Sequence, residues 1–467
     1  MTWINRCRYM YLLANSSINQ LMQRKSMQKN TRNYPSTATL VVYTTLALSI
    51  STDAIADYNE LGEAISSSNF NNNYTFNLES NPSSDKTIYL DFGYHPTTTT
   101  DYGSNNLTAN YILSDGNASV SAQEHENIQK IWRIVAEDFL PFNVNVTTKA
   151  TPTDDLKFTG GNDTRWGNRV NFTSESEETY SDGPFKANQD LLDRTVISTQ
   201  FTANLPAYLG NATSHEVGHS LGLSHDGDAA VPSGISRVYW GGHNIGPTTQ
   251  KYYSIMGASS TNANDLVHWS RGEYEDYFLT DLGGPTAAQP IDDDLRVITD
   301  DSVGGPTYAN GTPYRTDDHG NAFWNSTTLT AGVKEHGVIQ RAVDKDYFYI
   351  QLPDPTTITI DINTAEYGAN LNVKAVLFNL SGTEYTYDPS NNLGASFTES
   401  LPAGNWFVSV DGVGQGDPAT NGYSDYGSLG YYNIVYSTIS TATVPEPTSL
   451  SLLTLGGVLA LCRRRSN

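Results

Sequence analysis

Two periodicities divide the chain. In SAQEHENIQKIWRIVAEDFLPF the apolar residues Ile128, Ile131, Trp132, Val135 and Phe139 recur at three- and four-residue intervals, the spacing of one helix face. Ser121 with Glu124 supplies a capping box at its start, and Pro141 stops it. KTIYLDFGYH before it and NVNVTT after it are rich in β-branched and aromatic residues and predict strands. Strand, helix, strand implies an α/β layer. From about Asn321 the period becomes two. VIQRAVDKDYFYIQL, TITIDI, NLNVKAVLFNL, ASFTESL, GNWFVSVDGV and GYYNIVYS alternate and are separated by turn residues, which predicts a β-sandwich. Between the two lies DLGGPTAAQPIDDDLRVITDDSVGGPTYANGTPYRTDDHG, whose Gly, Pro and Asp content predicts a boundary.

The ends read differently. Basic residues, an apolar run from Ala38 to Ile50 and Ala54-Ile55-Ala56 form a secretory signal with cleavage after Ala56. The long basic lead suggests that translation starts at Met22 or Met27. VPEPTSLSLLTLGGVLALCRRRSN ends the chain with a Pro-Glu-Pro turn, an apolar stretch and three arginines. This tripartite tail resembles the PEP-CTERM sorting signal of Gram-negative bacteria. The resemblance implies recognition by an exosortase-type membrane protease, transient membrane insertion of the tail, and export across the inner membrane to the cell surface or medium. The expected organisation is therefore 1–56 signal peptide, 57–85 polar segment, 86–302 first folded domain, 303–320 linker, 321–438 sandwich and 444–467 sorting tail.

Charge and cysteine content narrow the function. The chain has 467 residues and a formal charge of −23. Between Asp57 and Thr441, 18 basic residues face 48 acidic ones, a net −30. Such a body excludes nucleic acid bound through phosphates and offers oxygen ligands to hard cations. The two cysteines, Cys7 and Cys462, both lie in the terminal segments, so the body folds without disulfides.

Three of nine histidines fall in SHEVGHSLGLSHDG. His215 and His219, four apart on a helix, share a face and can hold one zinc ion, with Glu216 placed to act on water. An uninterrupted helix would carry His225 away, but Gly222 can end the helix and turn the chain back. Three imidazoles with an open fourth position are the pattern of a catalytic rather than a structural zinc. Glu216 would then serve as general base for hydrolysis.

The pattern H-E-x-x-H-x-x-G-x-x-H, matched at every fixed position from His215 to His225, resembles the metzincin metalloproteases. Met256 in KYYSIMGAS looks like the methionine turn beneath the zinc in that clan. Asp226 resembles the reprolysin (adamalysin) branch, while Ala258, where a tyrosine would stand, argues against the astacin and serralysin branches. The resemblance implies a twisted mixed sheet with an active-site helix, followed by the all-β sandwich, and a zinc metalloendopeptidase acting on protein or peptide substrates. VDKDYFYIQLP, GANLNVKAVLFN, LPAGNWFVSVDGVG and DYGSLGYYNIVYS resemble the bacterial pre-peptidase C-terminal (PPC) domain. That likeness implies an accessory role and calcium as a second candidate ion, with Asp317, Asp318, Asp344 and Asp346 as candidate ligands. Because every zinc-site residue precedes Ser302, a chain ending there is expected to cleave short soluble peptides. The rival readings are a surface adhesin or matrix-binding protein with a vestigial site, and a zinc hydrolase of a non-peptide bond.

Overall fold

A computed structural model describes residues 75–94, 109–111, 120–159, 162–181, 195–200, 205–228, 238–275, 277–281, 284–285, 293–299, 312–389 and 393–439. The expected signal peptide and sorting tail lie outside them. Among the described residues the chain is mostly β-sheet, with few helices and five sheets. No described helix is long and apolar enough to cross a membrane.

The first layer is the strand–helix–strand unit anticipated above. Strand β1 (Lys86–Asp91) leads to helix α1 (Ala122–Phe139) and strand β2 (Asn145–Thr147). The capping box is present in both directions: the Ser121 hydroxyl accepts from the Glu124 N–H, and the Glu124 carboxylate accepts from the Ser121 N–H. After the one-turn α2 (Thr153–Leu156) come β3 (Trp166–Thr173), β4 (Tyr180–Ser181) and β5 (Thr195–Ser198). The order is β2-β1-β3-β5-β4, with every pair parallel except the antiparallel edge β4–β5. Parallel strands are buried on both faces, and all eight residues of β3 are buried. Ile131, Trp132 and Val135 of α1 join Ile88, Val170 and Phe172 in the core.

Helix α3 (Pro206–Ser220) crosses the same layer and is followed by β6 (His225–Asp228). Short strands β7 (His243–Asn244), β8 (Lys251–Ser254) and β9 (Leu266–His268) form a small sheet, and β10 (Tyr277–Asp281) with β11 (Gly284–Pro285) extends β6. Helix α4 (Asp294–Thr299) precedes the last region.

There, β12 (Thr327–Thr328), β13 (Glu335–Ile339), β14 (Lys345–Leu352), β15 (Thr356–Thr364), β16 (Val373–Phe378), β17 (Glu384–Tyr387), β18 (Ala395–Leu401), β19 (Gly404–Gly412) and β20 (Gly430–Ile439) make two sheets. Their orders are β12-β14-β19-β16-β17 and β13-β20-β15-β18. The single run expected at VIQRAVDKDYFYIQL is two strands of different sheets. The break falls where the Asp344 carboxylate accepts the Gln340 N–H and closes a turn. Strand β17 was not anticipated; its EYTY alternates but is only four residues long.

The two regions share one hydrophobic core and a set of buried polar bonds. Asn370 and Tyr431 of the sandwich donate backbone N–H groups to the buried Glu137 carboxylate at the end of α1. Asn370 Nδ2 also donates to Asp138 at 2.7 Å. The first residues of the expected linker to be described are themselves bonded: Asn143 N–H to Pro313 O, and Arg315 N–H to Pro141 O.

Candidate metal centre

Helix α3 presents the histidine motif on its last two turns, and a Schellman motif ends it. Leu223 N–H bonds to Gly218 O and Gly222 N–H to His219 O. Gly222 has φ +96°, a left-handed conformation that glycine adopts at no steric cost. The chain reverses there, and β6 begins with His225. The expected turn at Gly222 is therefore the element that brings the third imidazole to the other two.

The Nε2 atom of His219 lies 3.1 Å from Nε2 of His215 and 2.9 Å from Nε2 of His225. Nδ1 of His215 faces Ile255 O at 2.8 Å, and Nδ1 of His219 faces Leu223 O at 2.8 Å. Carbonyl oxygens only accept, so both Nδ1 atoms carry the proton and both Nε2 atoms present lone pairs. Lone pairs facing at such distances need an electrophile between them. The fixed tautomer is also the usual support of a metal-binding histidine. Burial holds all three imidazoles neutral: His215 is pushed well below the ordinary range, His225 to about 3, and His219 also down. Neutral imidazole is the ligating form. Three nitrogens with no cysteine are a donor set that suits zinc in an open site.

His215 and His225 are buried, while His219 is half-buried, so one side of the cluster meets solvent. Glu216 is 8% exposed, and burial pushes its carboxyl up to about 8. A cation among the histidines would oppose that shift. Beneath the cluster Met256 is fully buried, and its carbonyl accepts the Asp226 N–H at 2.9 Å. The turn packs so closely on α3 that a Cβ at Gly218 would come within 2.5 Å of the Met256 sulfur. Met256 thus packs against the helical turn between His215 and His219 and holds the residue after His225.

Tyr239 was not anticipated. Its ring centroid lies 4.4 Å from that of His225 and 5.9 Å from that of His215. Burial, then the Glu216 carboxylate, pushes its phenol upward. The VYWGGH stretch between the third histidine and Met256 was the available signal, but aromatic residues in loops are too common to single out. Behind the helix, the Ser214 hydroxyl donates to Asp138 at 2.6 Å. Asp138 therefore joins the residue before His215 to Asn370 of the sandwich.

A second cluster gathers Asp317, Asp344 and Asp346, each with a carboxylate oxygen within 4.8 Å of the others. Asp346 is fully buried and Asp344 is 4% exposed, and one Oδ1 of each lacks a hydrogen-bond partner. Burial first, then the neighbouring carboxylates, pushes Asp344 up to about 7 and Asp346 to about 9. Tyr432 donates its hydroxyl to Asp346. Asp318, the fourth candidate, accepts the Val338 N–H at 3.1 Å and lies outside the trio. All-oxygen anionic donors without a cationic side chain suit a hard cation such as calcium.

In sequence, residues 443–466 match the PEP-CTERM protein-sorting motif. The chain therefore carries the sorting signal that its Pro-Glu-Pro tail suggested, which indicates export to the envelope of a bacterium and handling by exosortase-type machinery. No curated protein matches the chain. Among solved structures, the chain is similar to the pre-peptidase C-terminal domain of collagenase from Bacillus anthracis, at 14% identity over 24% of this chain and 94% of that one, with a TM-score of 0.19. It is similar at 16% identity to PliG from Aeromonas hydrophila, a periplasmic inhibitor of g-type lysozyme, over 24% and 96% of the two chains, with a TM-score of 0.18. Catalytically inactive OgpA from Akkermansia muciniphila, in complex with an O-glycopeptide substrate, aligns over 70% of this chain and 82% of its own, at 11% identity and a TM-score of 0.17. Likenesses of this size assign no activity.

Proposed function

We propose that the chain is an exported zinc-dependent metalloendopeptidase of metzincin type. The observation that carries this reading is the convergence of three imidazole Nε2 atoms, two of them presenting lone pairs because backbone carbonyls fix their tautomers, beside a buried glutamate. His215, His219 and His225 would hold the ion. When bound, zinc would supply a Lewis acid for the scissile carbonyl and lower the pKa of an attacking water. Glu216 accepts the water proton on its carboxylate and passes it to the departing amine. The half-buried edge at His219 is the side from which a peptide reaches the site. The carboxylate beside the histidines favours this reading over a vestigial adhesin site, which would have no use for a buried base.

The sandwich, on the same reading, is an accessory PPC-like domain that takes calcium at Asp317, Asp344 and Asp346. The two orphaned oxygens support this, because a bound cation would supply the partner they lack and favour the ionised carboxylates over the protonated ones. Calcium would be structural there, since Tyr432 and the turn at Gln340 close the site from the inside.

The test of the peptidase reading is a cleavage map. Denatured proteome peptides are incubated with purified protein, with and without a zinc chelator, and new termini are identified by mass spectrometry. Chelator-sensitive termini with a consistent flanking pattern are expected. Zinc-loaded protein that produces none would overturn the reading.

A further inference from the structure

We infer that Tyr239 is a second catalytic residue of the histidine site, whose phenolic O–H donates a hydrogen bond to the negative charge developing on the scissile carbonyl oxygen. The inference rests on the peptidase reading and adds a residue to it.

The placement comes first. Trp240 is buried, and its backbone is held at both ends: its N–H bonds to Asp226 O at 2.7 Å, and its carbonyl accepts the Ala258 N–H at 2.9 Å. Its indole stacks on Tyr274 with centroids 3.9 Å apart. Trp240 is thus clamped between the strand that carries the third histidine and the turn that carries Met256. The preceding residue, Tyr239, is carried to the histidine rings by that clamp and lies against His225 and His215. It is 46% exposed, whereas His215, Glu216 and His225 are each below 9%. One edge of its ring therefore packs on the cluster and the other meets whatever enters from solvent.

The chemistry follows from what the other groups cannot do. The Nδ1–H groups of His215 and His219 are already given to Ile255 O and Leu223 O. Glu216, as base, accepts rather than donates at the start of the reaction. A phenol has an ordinary pKa of about 10 and is a donor at neutral pH. A donor held in place before charge develops contributes more than one recruited from water, and losing one such donor costs about 10²–10³ in kcat.

The experiment compares Tyr239→Phe with wild type on a peptide taken from the cleavage map. The expected result is a fall in kcat of about 10²-fold, with KM and zinc per chain unchanged. Calorimetry supplies a second readout. A phosphinic analogue of the peptide, with a tetrahedral anionic centre, should bind Tyr239→Phe about 10²-fold more weakly. The uncleaved peptide, measured in a Glu216→Gln background, should bind equally with and without Tyr239→Phe. Unchanged kcat in Tyr239→Phe overturns the inference, as does an equal weakening of peptide and phosphinate, which would make Tyr239 a packing surface for substrate. Wild-type protein that cleaves no peptide overturns the peptidase reading and this inference together. A cleaving wild type matched by its Phe variant overturns this inference alone.

Discussion

The histidine cluster and the aspartate cluster each gather three donor side chains within 4.8 Å, but they are built in opposite ways. The histidines come from eleven consecutive residues on one helix end, one turn and one strand. They are neutral, two have fixed tautomers, and they keep one side open beside Glu216 and Tyr239. The aspartates come from positions up to 29 apart, on a loop, at the end of a turn and in strand β14. They are carboxyl groups, and the two whose affinity for a proton is raised by burial face inward with unmet oxygens. The first arrangement leaves one side open to solvent, and the second is closed around oxygens that a cation would satisfy. What separates the two clusters is the chemistry and accessibility of the donors, not their number.

The comparison is broken most severely by removing the sandwich. The expectation that a chain ending near Ser302 would remain active treats the regions as independent. Glu137 and Asp138, however, take four hydrogen bonds from Asn370, Tyr431 and Ser214, and the apolar core runs across the junction. Cutting at Ser302 exposes the end of α1 and part of that core. The expected outcome is insoluble or molten protein without peptidase activity, read by near-ultraviolet circular dichroism and solubility. A soluble, cooperatively unfolding and active truncated chain would show that the regions are independent after all.

Asp138 offers a finer probe of the same junction. Burial pushes its carboxyl up to about 7, above the unfolded value of about 3.9. A raised carboxyl favours the protonated fold, so its contribution is fully present below about pH 4 and is lost as pH rises towards 7. Asp138→Asn cannot ionise, and the Ser214 hydroxyl can reverse to meet the new amide. The variant should flatten the decline in thermal stability across that window by about 2–4 kcal/mol. An unchanged pH profile of Tm would place the titration elsewhere.

Calcium should sharpen the contrast with a smaller effect. At a hundredfold excess over its Kd, calcium added to chelator-treated protein should stabilise by about 2.7 kcal/mol, a rise of about 4 °C in Tm for a single cooperative unit of this size. Asp346→Asn should abolish that rise without reducing zinc content. A calcium response that survives in Asp346→Asn would move the site away from this trio.

The legibility of these parts in sequence follows from how local each one is. Helix α1, its capping box, β1, β2 and most sandwich strands depend on periodicity within ten to twenty residues, which the chain displays directly. The histidine site was legible for the same reason, including the turn at Gly222. Tyr239 was not, because its position depends on Trp240 being clamped by Asp226 and Ala258 from two other segments. Nor was the role of Glu137 and Asp138, which read as the polar end of an amphipathic helix until Asn370 and Tyr431 arrive from more than 230 residues away. The aspartates were visible as candidates. Which of them converge depended on the turn that splits β13 from β14, and Asp318 is drawn aside by Val338.

The measurement closest to the central claim is zinc per chain beside peptide hydrolysis in wild type and Glu216→Gln. Glutamine keeps the size of the side chain and removes the base, and Glu216 is not among the three converging donors. Wild type and variant should each bind about one zinc per chain by atomic emission, while hydrolysis by the variant falls by roughly 10²–10⁴. A Glu216→Gln protein with near-full activity, or a wild type that takes up no zinc when offered it, would contradict the account.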